Sequence, residues 1–115
     1  MTIGILKEFG ADVEDGLARC MNNEEFYLKM VTMGIADERF EKLPGVLEGG
    51  RLDEAFEVCH ALKGVLGNLA LTPIYEPVCE MTELLRAKKD ADYAPYLEKM
   101  KFERDRLLAM ERAAQ

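Results

Sequence analysis

The sequence predicts an all-α protein, an antiparallel up-and-down four-helix bundle with additional short N-terminal helices. Apolar residues recur at helical spacing along almost the whole chain. Sustained alternation of apolar and polar residues is nearly absent, as are hairpin turns between such runs. A length of 115 residues suits one domain with one hydrophobic core. We therefore expect a single domain over residues 1–115, with short helices in 1–22 and the bundle over about 23–110.

Two short helices are expected before the bundle. Gly10 is expected to end the first helix, because glycine favours helix termination. The apolar face of this helix comprises Ile3, Leu6 and Phe9. Asp12 is expected to cap the second helix through its carboxylate. The apolar face of the second helix comprises Val13, Leu17 and Met21.

A third and a fourth helix are predicted in the next part of the chain. Asn22 or Asn23 is expected to begin the third, and Asp37 to cap the fourth. The inner face of the third helix comprises Tyr27, Met30, Val31 and Gly34. That of the fourth comprises Phe40, Leu43 and Leu47, before the glycine pair Gly49–Gly50. Pro44 lies inside the fourth helix and lacks a backbone donor, so a kink or a split is expected there.

Three longer helices are expected in the second half of the chain. The fifth runs from about Leu52 to Leu71. Thr72 and Pro73 predict the cap and the first position of the sixth, whose first turn Pro77 should make irregular. The inner face of the sixth comprises Ile74, Val78, Met81 and Leu85.

The polar stretch "KKDAD" connects the sixth helix to the seventh, which Asp92 and Pro95 open. The seventh helix is expected to bury Tyr93, Tyr96, Leu97, Met100, Leu107 and Leu108. It is expected to fray through "ERAAQ". Together with the helix around Asn23–Ala36, the three longer helices are expected to form the bundle, and the other short helices to cover one end.

Composition excludes several classes of function. The net charge of −7 disfavours unaided binding to nucleic acid or to an anionic membrane. No apolar run approaches the roughly 20 residues of a membrane span, and the first residues lack an export signal. Cys20, Cys59 and Cys79 are odd in number and widely spaced, so we expect reduced cysteines in apolar segments of a cytoplasmic protein.

The stretch "CHALKGVLGNLAL" contains the candidate functional residues. Relative to Cys59, which lies at the centre of the predicted core stripe, His60 is turned by about 100° and Lys63 by about 40° around the helix. Gly64 lies at about 140° and Gly67 at about 80°, so these four residues share one flank. A partner could approach the imidazole closely across the bare glycines. A histidine nitrogen is a nucleophile near neutral pH, and lysine could stabilise a phosphoryl group attached to it.

"HALKG" resembles the phosphoacceptor motif of histidine-containing phosphotransfer (HPt) domains: histidine, two residues, lysine, glycine. The small residue Gly67 also matches, whereas Ala70 stands where the family often has glycine. The resemblance covers about Asn23 to Leu108. It implies an antiparallel four-helix bundle with an exposed acceptor histidine, His60. It also implies phosphoryl transfer between receiver-domain aspartates, without ATP site, kinase activity or cofactor.

The implied partners are response-regulator receiver domains and a hybrid histidine kinase, with a monomeric protein as the default. Lys63 is the expected phosphoryl-stabilising residue. Gly64, Gly67, Asn68 and Glu57 are expected to form the receiver docking surface. Glu57 could also orient the imidazole.

The same residues are also compatible with other structures and functions. Gly64 and Gly67 could instead permit close helix packing, and Gly67 lies nearer the core edge. A helical adaptor could bind a partner through the same strip without phosphoryl transfer. A metal-dependent enzyme is disfavoured, because di-metal bundles use Glu-x-x-His pairs on facing helices and the chain has one histidine. A zinc site is disfavoured too, because the neighbours Cys59 and His60 point in different directions on a helix.

Overall fold

The computed structural model describes residues 1–114, which form seven α-helices and no strand. The helices are α1 (Ile3–Phe9), α2 (Val13–Arg19), α3 (Glu24–Ile35), α4 (Arg39–Glu48), α5 (Leu52–Asn68), α6 (Thr72–Arg86) and α7 (Ala94–Ala113). The prediction of an all-α helical bundle is confirmed.

The end of the first short helix and the start of the second are as predicted, whereas the second helix ends earlier than predicted. Gly10 ends α1 with a left-handed φ of 104°, a conformation that glycine adopts without steric cost. The Asp12 carboxylate caps α2 by accepting a hydrogen bond from the Asp15 backbone N–H at 3.2 Å. Met21 was assigned wrongly to the apolar face of α2. It lies beyond the end of that helix and is 85% exposed.

The helices α3 and α4 are separated by a short break. The Asn23 side chain caps α3, as predicted. The cap position of α4 is held by Glu38 rather than Asp37, whose carboxylate accepts a hydrogen bond from the Arg39 backbone N–H at 2.8 Å. The predicted split at Pro44 does not occur, since α4 continues through it. Pro44 is the sixth of the ten residues of this helix, so it removes one backbone hydrogen bond, and the residues on both sides of it remain helical. Val46 is buried in place of Leu47, which is half-buried.

The junction between α5 and α6 differs from the prediction. The fifth helix ends at Asn68 rather than Leu71, because Ala70 adopts a left-handed φ of 55°. The backbone N–H of Leu71 donates to the Leu66 carbonyl and that of Ala70 to the Gly67 carbonyl, both at 3.1 Å. This is the Schellman pattern that terminates helices.

The sixth helix also begins differently from the prediction. Thr72 is its first residue rather than its cap; Leu71 holds the cap position and makes no side-chain cap bond. The helix continues through Pro77, which is buried. The predicted apolar face is confirmed: Ile74, Val78, Met81 and Leu85 are buried.

The last helix begins where it was predicted to begin and extends into the stretch that was expected to fray. Asp92 accepts a hydrogen bond from the Ala94 backbone N–H at 3.0 Å, and α7 then runs to Ala113. Gln115 lies outside the described residues. Of the predicted core residues, Tyr93, Met100 and Leu107 are buried, whereas Tyr96, Leu97 and Leu108 are half-buried. The buried Glu103 was not predicted.

The bundle is assembled mainly from the antiparallel neighbours α4, α5, α6 and α7. The predicted role of α4 as an end cover is wrong, because α4 packs along α5. A Cβ on Gly34 of α3 would lie 2.6 Å from the Leu69 side chain near the end of α5. Lys42 of α4 pairs with Glu54 near the start of α5 at 3.7 Å. The chain from α3 into α4 therefore runs antiparallel to α5.

The short helices α1 and α2 cover one end of the bundle, as predicted. The Asp12 backbone N–H donates to the Ala70 carbonyl at 3.0 Å, next to the α5–α6 junction. The Arg106 guanidinium of α7 donates to the Phe9 carbonyl at 2.8 Å. One hydrophobic cluster draws residues from all seven helices. The face of α5 that points away from this cluster is exposed to solvent.

Candidate functional site

His60 lies in the middle of α5 with an exposed side chain, while the preceding residue, Cys59, is buried. The helical rotation of about 100° between neighbours explains this contrast. The imidazole stacks on the Phe56 ring one turn earlier, with ring centroids 5.6 Å apart and planes inclined by 22°. Stacking holds one face of the imidazole and leaves its edge accessible from solvent.

The Cys59 thiol is not a second nucleophile beside the histidine. Burial raises the pKa of this thiol to about 12, so it stays protonated near neutral pH. All three cysteines are free, as predicted; Cys20 and Cys59 are buried, whereas Cys79 is only partly buried. His60 is therefore the accessible nucleophile on this part of α5.

Lys63 lies one turn after His60 and pairs with a residue of the next helix. Its Nζ is 3.5 Å from Oε1 of Glu83, while Nε of Arg86 is 3.5 Å from Oε2 of the same carboxylate. The Arg86 guanidinium carbon lies 5.2 Å from the centre of the Phe56 ring. The structure thus brings two cations and one anion of α5 and α6 beside the histidine.

Sequence reasoning missed Phe56, Glu83 and Arg86. The spacing of Glu83 and Arg86 by three residues on a helix, and of Phe56 and His60 by four, could have indicated two local pairs. Whether the two pairs meet depends on how α5 packs against α6, which the spacing of residues along each helix does not indicate.

The two glycines of the motif have different surroundings. No heavy atom lies within 4 Å of a Cβ built on Gly64, which faces open space. A Cβ on Gly67 would lie 3.3 Å from the Tyr75 ring of α6. Close helix packing therefore explains Gly67, and it does not explain Gly64.

Asn68 and Glu57 lie on the exposed face of α5, where they were predicted. The Asn68 side-chain oxygen accepts a hydrogen bond from Arg19 of α2 at 3.3 Å. Within residues 1–114, no hydrogen bond or ion pair joins Glu57 to His60. Stacking on Phe56, rather than a carboxylate, thus holds the imidazole in this structure.

Two further features bear on the kind of site. The described part of the chain contains no group of three or more His, Cys, Asp or Glu side chains arranged to hold a metal ion. None of its helices combines the length and the apolar character that a membrane span requires. The helix α5 presents an exposed imidazole at His60 and an ammonium group at Lys63, one turn later.

A helical bundle that presents one histidine beside a lysine and a bare glycine has the features of a phosphoryl carrier. The family model described as "Hpt domain" matches residues 33–114 of the chain. The chain therefore belongs to the Hpt domain family, as its resemblance predicted. The matched segment begins within α3 rather than at Asn23 and includes all of α4 to α7.

Membership of this family assigns a general role. Hpt domains carry phosphoryl groups on histidine in phosphorelays, and they interact with receiver domains and kinases of these relays. They act as carriers rather than as catalysts. No curated protein and no solved structure matches the chain.

Proposed function

We propose that His60 accepts a phosphoryl group from the phosphoaspartate of one receiver domain and passes it to the aspartate of another. The observation that carries this proposal is the exposed imidazole on α5, flanked by the open surface at Gly64 and by the Lys63 ammonium group. This is the arrangement that phosphoryl transfer between two proteins requires.

The transfer step needs an accessible nucleophile. A nitrogen of His60 attacks the phosphorus of the acyl phosphate, and the bond between phosphorus and the aspartate oxygen breaks. The receiver regains its carboxylate, and the proton of the imidazole passes to solvent. The reverse reaction on a second receiver delivers the phosphoryl group, so the protein is unchanged after one cycle.

Gly64 and Lys63 have separate roles in this proposal. The phosphoryl group travels between two folded proteins, so their backbones must approach within a few ångströms of each other. The absence of a side chain at Gly64 leaves room for that approach. Lys63 supplies a positive charge for the anionic group in transit, and a charge-assisted contact of this kind is worth about 1.5–3 kcal/mol. Gly67, Asn68 and Glu57 extend the proposed docking surface along α5.

The test is transfer from a panel of receiver domains carrying labelled phosphoaspartate. We expect the wild-type protein to gain acid-labile phosphate and His60→Gln to gain none, with an unchanged melting temperature because the side chain is exposed. Lys101→Gln, an exposed substitution on α7, is the matched control and should transfer normally. Phosphate uptake by His60→Gln at the wild-type rate would contradict the assignment. Binding to receivers without any uptake would instead support the adaptor interpretation.

The proposal extends to the whole chain. The hydrophobic cluster shared by all seven helices supports a single domain over residues 1–115. A cytoplasmic monomer that exchanges phosphoryl groups with receivers, and with a hybrid histidine kinase through its receiver, fits this role. The acidic net charge of −7 gives no support to a nucleic-acid partner.

A further inference from the structure

Five side chains beside the proposed acceptor form one continuous network across α5 and α6. His60 stacks on Phe56, and the Arg86 guanidinium carbon lies 5.2 Å from the centre of that ring. Arg86 pairs with Glu83 at 3.5 Å, and Glu83 pairs with Lys63, also at 3.5 Å. The proposed phosphoryl-stabilising lysine is thus already paired with an anion before any phosphoryl group arrives.

The pair between Lys63 and Glu83 is placed so that it can exchange. The side chain of Lys63 is 26% exposed and that of Glu83 is 56% exposed, so water screens their attraction. A separation of 3.5 Å is within ion-pair range but long for a hydrogen bond between charged groups. A phosphoryl group on His60 presents up to two negative charges and strong acceptor oxygens, and it competes with the carboxylate for the same ammonium group.

Arg86 determines what happens to Glu83 after such an exchange. When Lys63 turns to the phosphoryl group, the carboxylate keeps its second cation and is not left unpaired. The exchange therefore costs only one exposed ion pair. Without Arg86, the departure of Lys63 would leave Glu83 as an uncompensated negative charge near the phosphorylated histidine.

We infer that Glu83 is a positioning residue that competes with the phosphoryl group for Lys63 and so limits the rate at which His60 is phosphorylated. The inference rests on the proposed function, since it concerns the charge that stabilises phosphohistidine. Glu83 stabilises the unphosphorylated protein relative to the phosphorylated one. Phosphohistidine is consequently less stable relative to free histidine, so transfer of the phosphoryl group to the next acceptor is more favourable.

The test uses phosphoramidate as the donor, because a small molecule removes receiver docking from the measurement. The His60 nitrogen forms the new bond to phosphorus, the phosphorus–nitrogen bond of phosphoramidate breaks, and ammonia leaves with the proton of the imidazole. We expect Glu83→Gln to accelerate uptake by about two- to fivefold, the range that an exposed ion pair allows. Glu80→Gln removes the same charge from an exposed position of α6 and should leave the rate unchanged. The melting temperature of each variant checks that it is folded.

A double-mutant cycle tests whether Glu83 acts through Lys63. Lys63→Ala should slow uptake, and adding Glu83→Gln to it should give no acceleration. A wild-type rate in Glu83→Gln, or an equal acceleration with and without Lys63, would overturn the inference. Phosphate uptake by His60→Gln would overturn the proposed function together with the inference. Uptake that depends on His60 but is insensitive to Glu83 would overturn the inference alone.

Discussion

The two glycines on the exposed flank of α5, Gly64 and Gly67, have different surroundings. Gly67 lies against the Tyr75 ring of α6, whereas Gly64 has no neighbour within 4 Å of a Cβ built on it. Glycine inside a helix costs about 0.8–1 kcal/mol relative to alanine. At Gly67 this cost is offset by close packing. At Gly64 the fold gains nothing in return, so the proposed approach of a receiver is the remaining explanation.

Gly64→Gln is therefore expected to separate stability from transfer. A helix-favouring residue in open space should raise the free energy of unfolding by up to about 1 kcal/mol. The same side chain stands where a receiver must approach, so transfer from a phosphorylated receiver should fall sharply. Urea denaturation and a transfer assay on this one variant measure both effects. Uptake from phosphoramidate should be little affected, because the small donor needs no docking surface.

Gly67→Ala is the matched comparison for Gly64→Ala. Its new methyl group would lie 3.3 Å from the Tyr75 ring, which must shift. Less stabilisation is expected at Gly67 than at Gly64. Equal stabilisation at both sites would show that packing against Tyr75 does not constrain Gly67. A loss of stability in Gly64→Ala would restore a packing role for that glycine.

At the scale of the helix, several helices are followed by a residue in the left-handed region, and the type of that residue differs between them. The turns after α1 and α4 place Gly10 and Gly50 in the left-handed region, with φ of 104° and 71°. The turns after α5 and α6 place Ala70 and Lys88 there, with φ of 55° and 53°. A residue with a Cβ is strained in this conformation by roughly 1–2 kcal/mol. The ends of α5 and α6 are thus less favourable than those of α1 and α4.

Lys88→Gly is expected to raise the free energy of unfolding by up to about 1 kcal/mol, because the relief of strain exceeds the added entropy of the unfolded chain. The ion pair it removes, to Asp53 at 4.0 Å, is exposed and contributes little. Ala70→Gly should gain less, because a buried methyl group is lost. Thermal denaturation measures both variants.

Lys89→Gly is the control for that prediction. This neighbouring residue is exposed and has no left-handed φ, so glycine there only adds entropy to the unfolded chain and should lower stability. If Lys88→Gly and Lys89→Gly were equally destabilising, strain at the end of α6 would not be the cause.

At the scale of the whole molecule, a buried charge joins the bundle to its N-terminal cover. Glu103 of α7 is 5% exposed and receives hydrogen bonds from Lys99 at 3.1 Å and Arg106 at 2.9 Å. Arg106 also donates to the Phe9 carbonyl, and its guanidinium carbon lies 4.3 Å from the centre of the Phe9 ring. The charge of Glu103 therefore orients the side chain that holds α1 against α7.

Burial by itself would raise the pKa of the Glu103 carboxyl, but the hydrogen bonds from Arg106 and Lys99 outweigh it and lower the pKa below its ordinary value. The lowered pKa means that the native state favours the ionised carboxylate. The resulting stabilisation is complete above the ordinary pKa of the unfolded chain and is lost as the pH falls through the lower native value.

Glu103→Gln is expected to lower the free energy of unfolding at pH 7 by about 1–3 kcal/mol, as removal of charge-assisted hydrogen bonds does. The difference from wild type should shrink as the pH falls below the ordinary glutamate value of about 4.3. Urea denaturation across this range measures it. Glu98→Gln, an exposed substitution on α7, should show no such pH-dependent difference. A difference for Glu103→Gln that is independent of pH would exclude the charge as its source.

Much of the site could be predicted because it depends on local geometry. The position of a side chain around a helix follows from its distance along the chain, so the exposed His60 beside the buried Cys59 was predictable from periodicity. The caps at Asp12 and Asn23 follow from side chains that reach their own backbone. The motif itself pointed to the Hpt domain family, which the match to residues 33–114 confirms.

Errors at the ends of helices arose where the packed structure overrides local propensity. Nothing in the residues marks Ala70 as left-handed, since alanine favours helices, yet its turn lies between the buried residues Leu66 and Leu71, whose backbones are joined by a hydrogen bond. Pro44 predicted a kink or a split and Pro77 an irregular first turn, yet α4 and α6 continue through these residues. The assignment of α4 to the end of the bundle failed for the same reason, because its contacts with α5 are tertiary.

By itself, the sequence determined the helical class, the exposed face of α5 and the family to which the chain belongs, because periodicity and a short motif encode them. Only the tertiary structure decided which glycine packs, which anion holds Lys63 and how Arg106 joins α7 to α1. These outcomes depend on Tyr75, Glu83 and Phe9, which meet their partners through the packing of different helices. Contacts of this kind form only when the hydrophobic faces of several helices are buried together.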